Sequence, residues 1–123
     1  MEDNKNLIGE KSMDFAVRCV NLYKYLSQEK SEYIMSKQVY RSGTSVGANI
    51  RESRNAQSTS DFINKLNTAL KEADETQFWL ELLYRTQYIG EKEYNSINND
   101  IDEIIAILTA SIKTNKKKIT RNN

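Results

Sequence analysis

The stretch from Tyr40 to Gln57, YRSGTSVGANIRESRNAQ, constrains this chain more than any other part of it. It reads as helix, yet one side carries almost no bulk. Ser42, Gly43, Ser45, Gly47 and Asn49 stand where a helix in water normally presents Leu or Ile. Each glycine gives up about 1 kcal/mol of helix propensity relative to Ala. Close approach of a second helix is the simplest compensation, because missing side chains let two backbones meet. The stretch therefore points to helix-on-helix packing.

The rest of the chain agrees. It has 123 residues, the size of one domain, and contains no proline and only four glycines. Long helices tolerate that composition better than a sheet of short strands and tight turns. Apolar residues make up 38% of the chain. Its mean hydropathy is −0.72, so a core must come from strict periodicity. The first helix is expected over about residues 11–29, with stripes Met13, Ala16, Val20, Tyr23 and Phe15, Cys19, Leu22, Leu26 joined into one buried face. Polar residues 27–33 read as a loop.

The second helix is expected over 36–57, with Val39, Val46 and Ile50 as its apolar contacts. The third, about 60–88, opens on Ser58-Thr59-Ser60-Asp61, which resembles a capping box. Its repeat alternates steps of four and three: Phe62, Leu66, Ala69, Ala73, Thr76, Leu80, Leu83. After Gly90 a fourth helix, about 91–112, carries Tyr94, Ile97, Ile101, Ile104, Ile105, Leu108 and Ile112. Its many isoleucines would suit a strand, but their period is helical. Four amphipathic segments with short connections predict an all-α, antiparallel up-down-up-down four-helix bundle over residues 1–112. Residues 113–123 read as a basic, disordered tail.

Charge is segregated. Net charge is +1, but Lys113, Lys116, Lys117, Lys118 and Arg121 fall in the last eleven residues, which hold no acid. The remainder has 13 bases against 17 acids, a balance of −4. The body thus lacks the basic excess of a nucleic-acid binder, and the tail has it. The single cysteine, Cys19, suits a reducing compartment. The N-terminus lacks an apolar signal core, and no apolar run approaches the ~20 residues that span a bilayer. A cytoplasmic protein without a membrane partner is the expectation.

The run Tyr40-Arg41-Ser42-Gly43-Thr44-Ser45-Val46-Gly47-Ala48-Asn49-Ile50, with Glu52 and Ala56, resembles the signature of the four-helix-bundle proteins first noticed in intervening sequences of bacterial 23S rRNA genes. The similarity continues through Asp61-Phe62-Ile63, Lys65-Leu66, Ala69 to Ala73, Glu75-Thr76, Trp79 to Leu83 and Glu93-Tyr94. The resemblance implies a four-helix bundle that assembles as a ring-shaped homopentamer. A related branch comprises the accessory proteins of diversity-generating retroelements, which work with a reverse transcriptase and bind nucleic acid through a basic surface. The family brings no catalytic residues with it.

Enzymatic chemistry finds little footing. There is no histidine, the commonest general acid–base and metal ligand. Cys19 lies on an apolar stripe and reads as a core residue. Glu72 and Glu75 lack the histidine partners of a bundle di-metal site. They read instead as partners of Arg41 or Arg51 across two helices. No catalytic residue, metal, cofactor or small-molecule substrate is expected.

Gly43 and Gly47 lie inside a helical period, which makes them spacers and not a phosphate loop. Arg41, Ser42, Gly43, Ser45, Gly47, Asn49 and Glu75 form a packing signature, in which Asn49 needs a hydrogen-bond partner. Apolar residues wrap most of the third helix around Phe78 to Tyr84, more than one core can use. Phe78, Trp79 and Leu82 are therefore candidates for an oligomer interface. Lys113, Lys116, Lys117, Lys118 and Arg121 are candidates for RNA or DNA. The expectation is a non-catalytic homo-oligomeric scaffold, pentameric by resemblance and associated with RNA or a ribonucleoprotein. The alternative is a protein–protein adaptor, for instance for a nucleic-acid-handling protein.

Overall fold

The computed structural model describes residues 4–122, with side chains described from 7 to 121. Four helices follow in order: α1 (Asn4–Glu29), α2 (Met35–Ser53), α3 (Thr59–Arg85) and α4 (Glu91–Asn122). Contacts run α1 to α2, α2 to α3, α3 to α4 and, more sparsely, α1 to α4. Cross-helix pairs show alternating direction. Gly43 faces Cys19 while Gly47 faces Ser12. Ser42 meets Thr76, and Glu52 meets Lys65. Gln77 bonds Asn98 and Asp102, and Tyr84 stacks on Tyr94 with ring centres 4.7 Å apart. The chain is an all-α, antiparallel up-down-up-down four-helix bundle.

The core follows the sequence period closely in α3 and α4. Leu66, Ala69, Ala73, Thr76, Leu80 and Leu83 are buried, as are Ile97, Ile101, Ile104, Leu108 and Ile112. Phe15, Cys19 and Leu26 represent α1 in this core, and Val39, Val46 and Ile50 represent α2. In α1 the stripe Phe15, Cys19 and Leu26 is buried, with Leu22 partly so, while the other expected stripe is not. Met13 and Val17 stay about half exposed, and Ala16, Val20 and Tyr23 are intermediate. The physical reason is position. Met13 and Ala16 lie past the edge of α1 that meets α2, bordering a groove with Thr44, Gly47 and Ala48. Among the described residues no further helix covers the side of α1 beyond it.

Local chemistry sets the helix ends. Ser31 (φ 53°) and Gln87 (φ 69°) adopt the left-handed conformation that glycine usually supplies at helix ends. After α3, the amides of Gln87 and Tyr88 donate back to the carbonyls of Tyr84 and Leu83, which ends the helix at Arg85 and not near 88. At the start of α3, Ser58 Oγ accepts from the Asp61 amide, and Asp61 Oδ2 accepts from the Gln57 amide. α2 also stops short of the expected 57. Its last turn unwinds through tight bonds from Arg54, Asn55 and Ala56 to the carbonyls of Arg51, Glu52 and Ser53.

The largest departure lies at the C-terminus, where α4 continues through the segment read as a disordered tail. No proline or glycine interrupts it, and Ile112 and Ile119 extend the apolar seam by two further turns. Basic side chains toward a helix C-terminus also oppose the macrodipole favourably.

Glu32 anchors the start of α2. Its carboxylate accepts from the amides of Ile34, Met35 and Ser36, at 3.0, 3.0 and 2.7 Å. The Ser36 hydroxyl donates to the Glu32 carbonyl. Burial opposes the charge on Glu32, but the three amides outweigh it and hold the carboxyl below its ordinary pKa. A carboxyl depressed in the folded state adds stability above its unfolded pKa, and that contribution is lost as pH falls through the folded value. Glu32→Ala should cost about 1–2 kcal/mol at neutral pH. The gap to wild type in urea titrations should narrow below about pH 4. An unchanged gap down to pH 2 would contradict this.

A Cβ on Gly43 would overlap Cys19 Sγ and lie 3.0 Å from Cys19 Cβ, while one on Gly47 would lie 3.3 Å from the Ser12 carbonyl oxygen. Gly43→Ala should gain about 1 kcal/mol of propensity yet lose more than that to overlap, for a net loss of about 1–2 kcal/mol. Adding Cys19→Ala should restore part of it, because the sulfur is the first atom struck. A melting temperature for Gly43→Ala at or above wild type would show that α1 can move aside freely.

Candidate functional site

The conspicuous polar constellation sits where α2 and α3 face each other. α2 holds many small polar side chains because each satisfies itself. Ser42, Thr44 and Ser45 donate to the carbonyls of Gln38, Tyr40 and Arg41, and Asn49 Nδ2 donates to the Ser45 carbonyl at 2.8 Å. Such back-bonds let small polar groups enter an apolar contact without stranded donors. Among the described residues no buried side-chain nitrogen or oxygen lacks a partner. Asn49 thus spends its amide on its own helix and is only half buried.

One bond crosses between α2 and α3 in the core. Thr76 Oγ1 lies 2.8 Å from Ser42 Oγ and 2.7 Å from the Glu72 carbonyl, so its single proton is shared between two acceptors. Above this pair, at the surface, Arg41 reaches over to α3. Its guanidinium donates to Glu75 Oε2 and, at 3.4 Å, to Glu72 Oε2. The Trp79 indole N–H donates to the same Glu75 oxygen at 3.1 Å. Hydrogen bonds from Arg41 and then Trp79 hold the Glu75 carboxyl below its ordinary pKa, and Glu75 in turn raises that of Arg41. Of the two arginines considered for this pairing, the structure selects Arg41. Arg51 is solvent-exposed on the last turn of α2.

This network is suited to orienting side chains and has no reactive group. The only cysteine is fully buried, and burial pushes its thiol up to about 12. Such a thiol is a poor nucleophile. Among the described residues no group of three or more His, Cys, Asp or Glu could hold a metal ion.

The three apolar candidates on α3 fall into different settings. Phe78 is 58% exposed, whereas Trp79 and Leu82 are half buried. The Phe78 ring meets the Trp79 ring edge-on, with centres 5.0 Å apart. Sequence reasoning missed two further exposed apolar groups, Met13 with Val17 on α1 and Ile34 at the start of α2, the last 76% exposed. The signal for Met13 and Val17 was present, since α1 has more apolar residues than one face can bury. The structure does not bring the five C-terminal cations near Arg41 or Phe78. They stand on α4 at the end of the bundle that also holds the α2–α3 turn.

Arg41 and Glu75 are both more than a third exposed, so their attraction is screened and contributes under about 1 kcal/mol. Glu75→Ala should therefore move the melting temperature little. It should shift the emission of Trp79, the sole tryptophan, to longer wavelength as the indole loses its partner and gains water. Unchanged emission would show that Glu75 does not position the ring.

The family model described as 23S rRNA-intervening sequence protein matches residues 4–110. A crystal structure of a protein of unknown function from the S23 ribosomal protein family of Bacteroides thetaiotaomicron is 61% identical in sequence. It aligns over 89% of this chain and 97% of its own, with a TM-score of 0.87. No curated protein matches. The matched residues include the small-residue face of α2, the Arg41–Glu75–Trp79 network and the α4 seam as far as Ala110. The chain belongs to the 23S rRNA-intervening sequence protein family.

Proposed function

We propose that this chain is a non-catalytic, homo-oligomeric scaffold that associates with RNA or a ribonucleoprotein. The observation that carries the scaffold reading is the apolar surface left uncovered on a very polar chain. Leu7, Met13, Val17, Tyr33, Ile34 and Phe78 are all exposed although the mean hydropathy is −0.72. Large apolar side chains left in water, such as Met13 with Val17 on α1 and Phe78 on α3, are typical of surfaces that meet another protein. Phe78 and Trp79 add an aromatic anchor whose orientation is set by Glu75 and Arg41. A pentamer is the assembly that the family resemblance favours.

The nucleic-acid part draws on the C-terminal cations. The competing reading is an adaptor that binds only protein, and the −4 balance of the rest of the chain favours it for the other bundle faces. No catalytic step enters either reading, and no helix among the described residues is long and apolar enough to cross a membrane.

Light scattering on the purified chain tests the assembly. The expected mass is a multiple of 14.3 kDa, and Phe78→Lys should lower it while far-UV circular dichroism stays helical. A monomer at high protein concentration would refute the scaffold reading. A Phe78→Lys mass equal to wild type would move the interface to the α1 flank around Met13 and Val17.

A further inference from the structure

The last three turns of α4 carry an electrostatic arrangement that the fold does not explain. Lys113, Lys116, Lys117 and Arg121 share one face, an arc of about 140° on a helix that turns about 100° per residue. All four are exposed, and they edge a shallow open hollow whose floor includes Thr109 and Thr120. The apolar seam of Leu108, Ile112 and Ile119 is centred about 130° round the helix from this face, with Ile112 at the edge of the hollow, so the cations point largely away from the bundle. Lys118 stands off this face, on its flank.

Like charges at these spacings destabilise a helix. Lys113–Lys117 and Lys117–Arg121 are i,i+4 pairs, and Lys113–Lys116 is an i,i+3 pair. α3 shows the stabilising alternative, Glu81 with Arg85 at 2.8 Å. α4 has no such option, because no acid follows Glu103 in the sequence. Among the described residues none of the four cations is in an ion pair. The macrodipole acts only within about the last turn. It can account for Arg121 and Lys118 but not for Lys113, more than two turns from the helix end. A helix that concentrates repulsion on one outward face is matched to a polyanion.

Two features indicate which polyanion. No aromatic residue follows Tyr94, and that ring is already stacked on Tyr84. Single-strand binders depend on aromatic side chains for base stacking. The face has no Asn, Gln or acid to pair with adenine or cytosine edges, and its three Lys and one Arg, although able to meet guanine, serve any sequence alike when they engage phosphates. Its cations are held about 12 Å apart from first to last by a rigid helix. Such a row suits phosphates already ordered by a duplex, whereas a flexible strand would lose conformational freedom on binding. Resting on the nucleic-acid part of the function proposed above, we infer that the Lys113–Lys116–Lys117–Arg121 face of α4 binds the phosphate backbone of a nucleic-acid duplex without reading its sequence.

Anisotropy titrations of the full chain against labelled duplex RNA, duplex DNA and single-stranded RNA of one length, about 20 units, test this. Both duplexes should bind within about threefold of each other and more tightly than the single strand. The slope of log K against log salt should be about −3.6 per subunit, four phosphates at about −0.9 each. The combined variant Lys113→Gln, Lys116→Gln, Lys117→Gln and Arg121→Gln should lose tenfold or more in affinity, about one decade per 1.4 kcal/mol. Its melting temperature should equal or exceed wild type, because repulsion has been removed. Lys118→Gln alone should change binding less than about twofold. Tighter binding of the single strand would overturn the duplex assignment while leaving the RNA reading standing. A lower melting temperature in the combined variant would overturn it too, by making the cations structural. Failure of all three nucleic acids to bind at low salt would remove both the inference and the nucleic-acid part of the proposed function.

Discussion

The bundle depends on the close approach of α1 to α2. At Gly43 the Cys19 side chain occupies the space that a methyl group would need, and at Gly47 the Ser12 carbonyl oxygen does nearly the same. Two backbones this close make many dispersion contacts, each small and together large. They also leave no room for bulk, so the core on this side is built from Phe15, Cys19, Val39 and Val46 and not from opposed leucines. The glycines lose helix propensity, and this packing offsets the loss.

The same constraint explains the polar character of α2. A face that must stay thin can use only Gly, Ala, Ser, Thr or Asn, and the hydroxyls then need partners. Bonds to carbonyls one turn earlier supply them, and the Ser42–Thr76 contact carries the network into α3. α2 thereby becomes the shared middle element, with α1 close on one side and α3 on the other. α4 joins through α3, by Tyr84–Tyr94 and Gln77 with Asn98 and Asp102. It reaches α1 mainly through the surface pairs Lys11–Glu103 and Arg18–Asp100. Met13 and Val17 remain uncovered on the opposite flank of α1, beyond its edge with α2, where no further helix follows among the described residues, and that outer flank can serve association.

Much of this was legible in the residues. The alternating repeat of α3 and the isoleucine period of α4 identify their buried faces almost position by position, because a regular seam leaves little choice of rotation. The family signature in α2 was equally plain. Less legible were the ends and the surplus. Ser31 and Gln87 end helices in a conformation that their residue types do not advertise. The basic run after Ile112 has the composition of a disordered tail, and only the position of Ile119 beside the core shows that the helix goes on. For α1, two apolar stripes were visible, but nothing in the sequence says how many neighbouring helices will cover them. In the candidate site, the types Arg41, Glu75 and Trp79 were apparent, while their convergence on one carboxylate oxygen was not.

By itself, then, the sequence determined that this chain is an antiparallel four-helix bundle of a recognisable family, with a thin face on α2 and no histidine or reactive thiol for catalysis. These properties follow from local periodicity and residue type, which act along the chain. The tertiary structure alone decided that Arg41 and not Arg51 holds Glu75, that Phe78 faces water while Trp79 is tethered, and that four cations line up on a rigid outward face of α4. Each of those depends on how one helix is rotated and placed against another, and so on packing across the bundle that no single segment specifies.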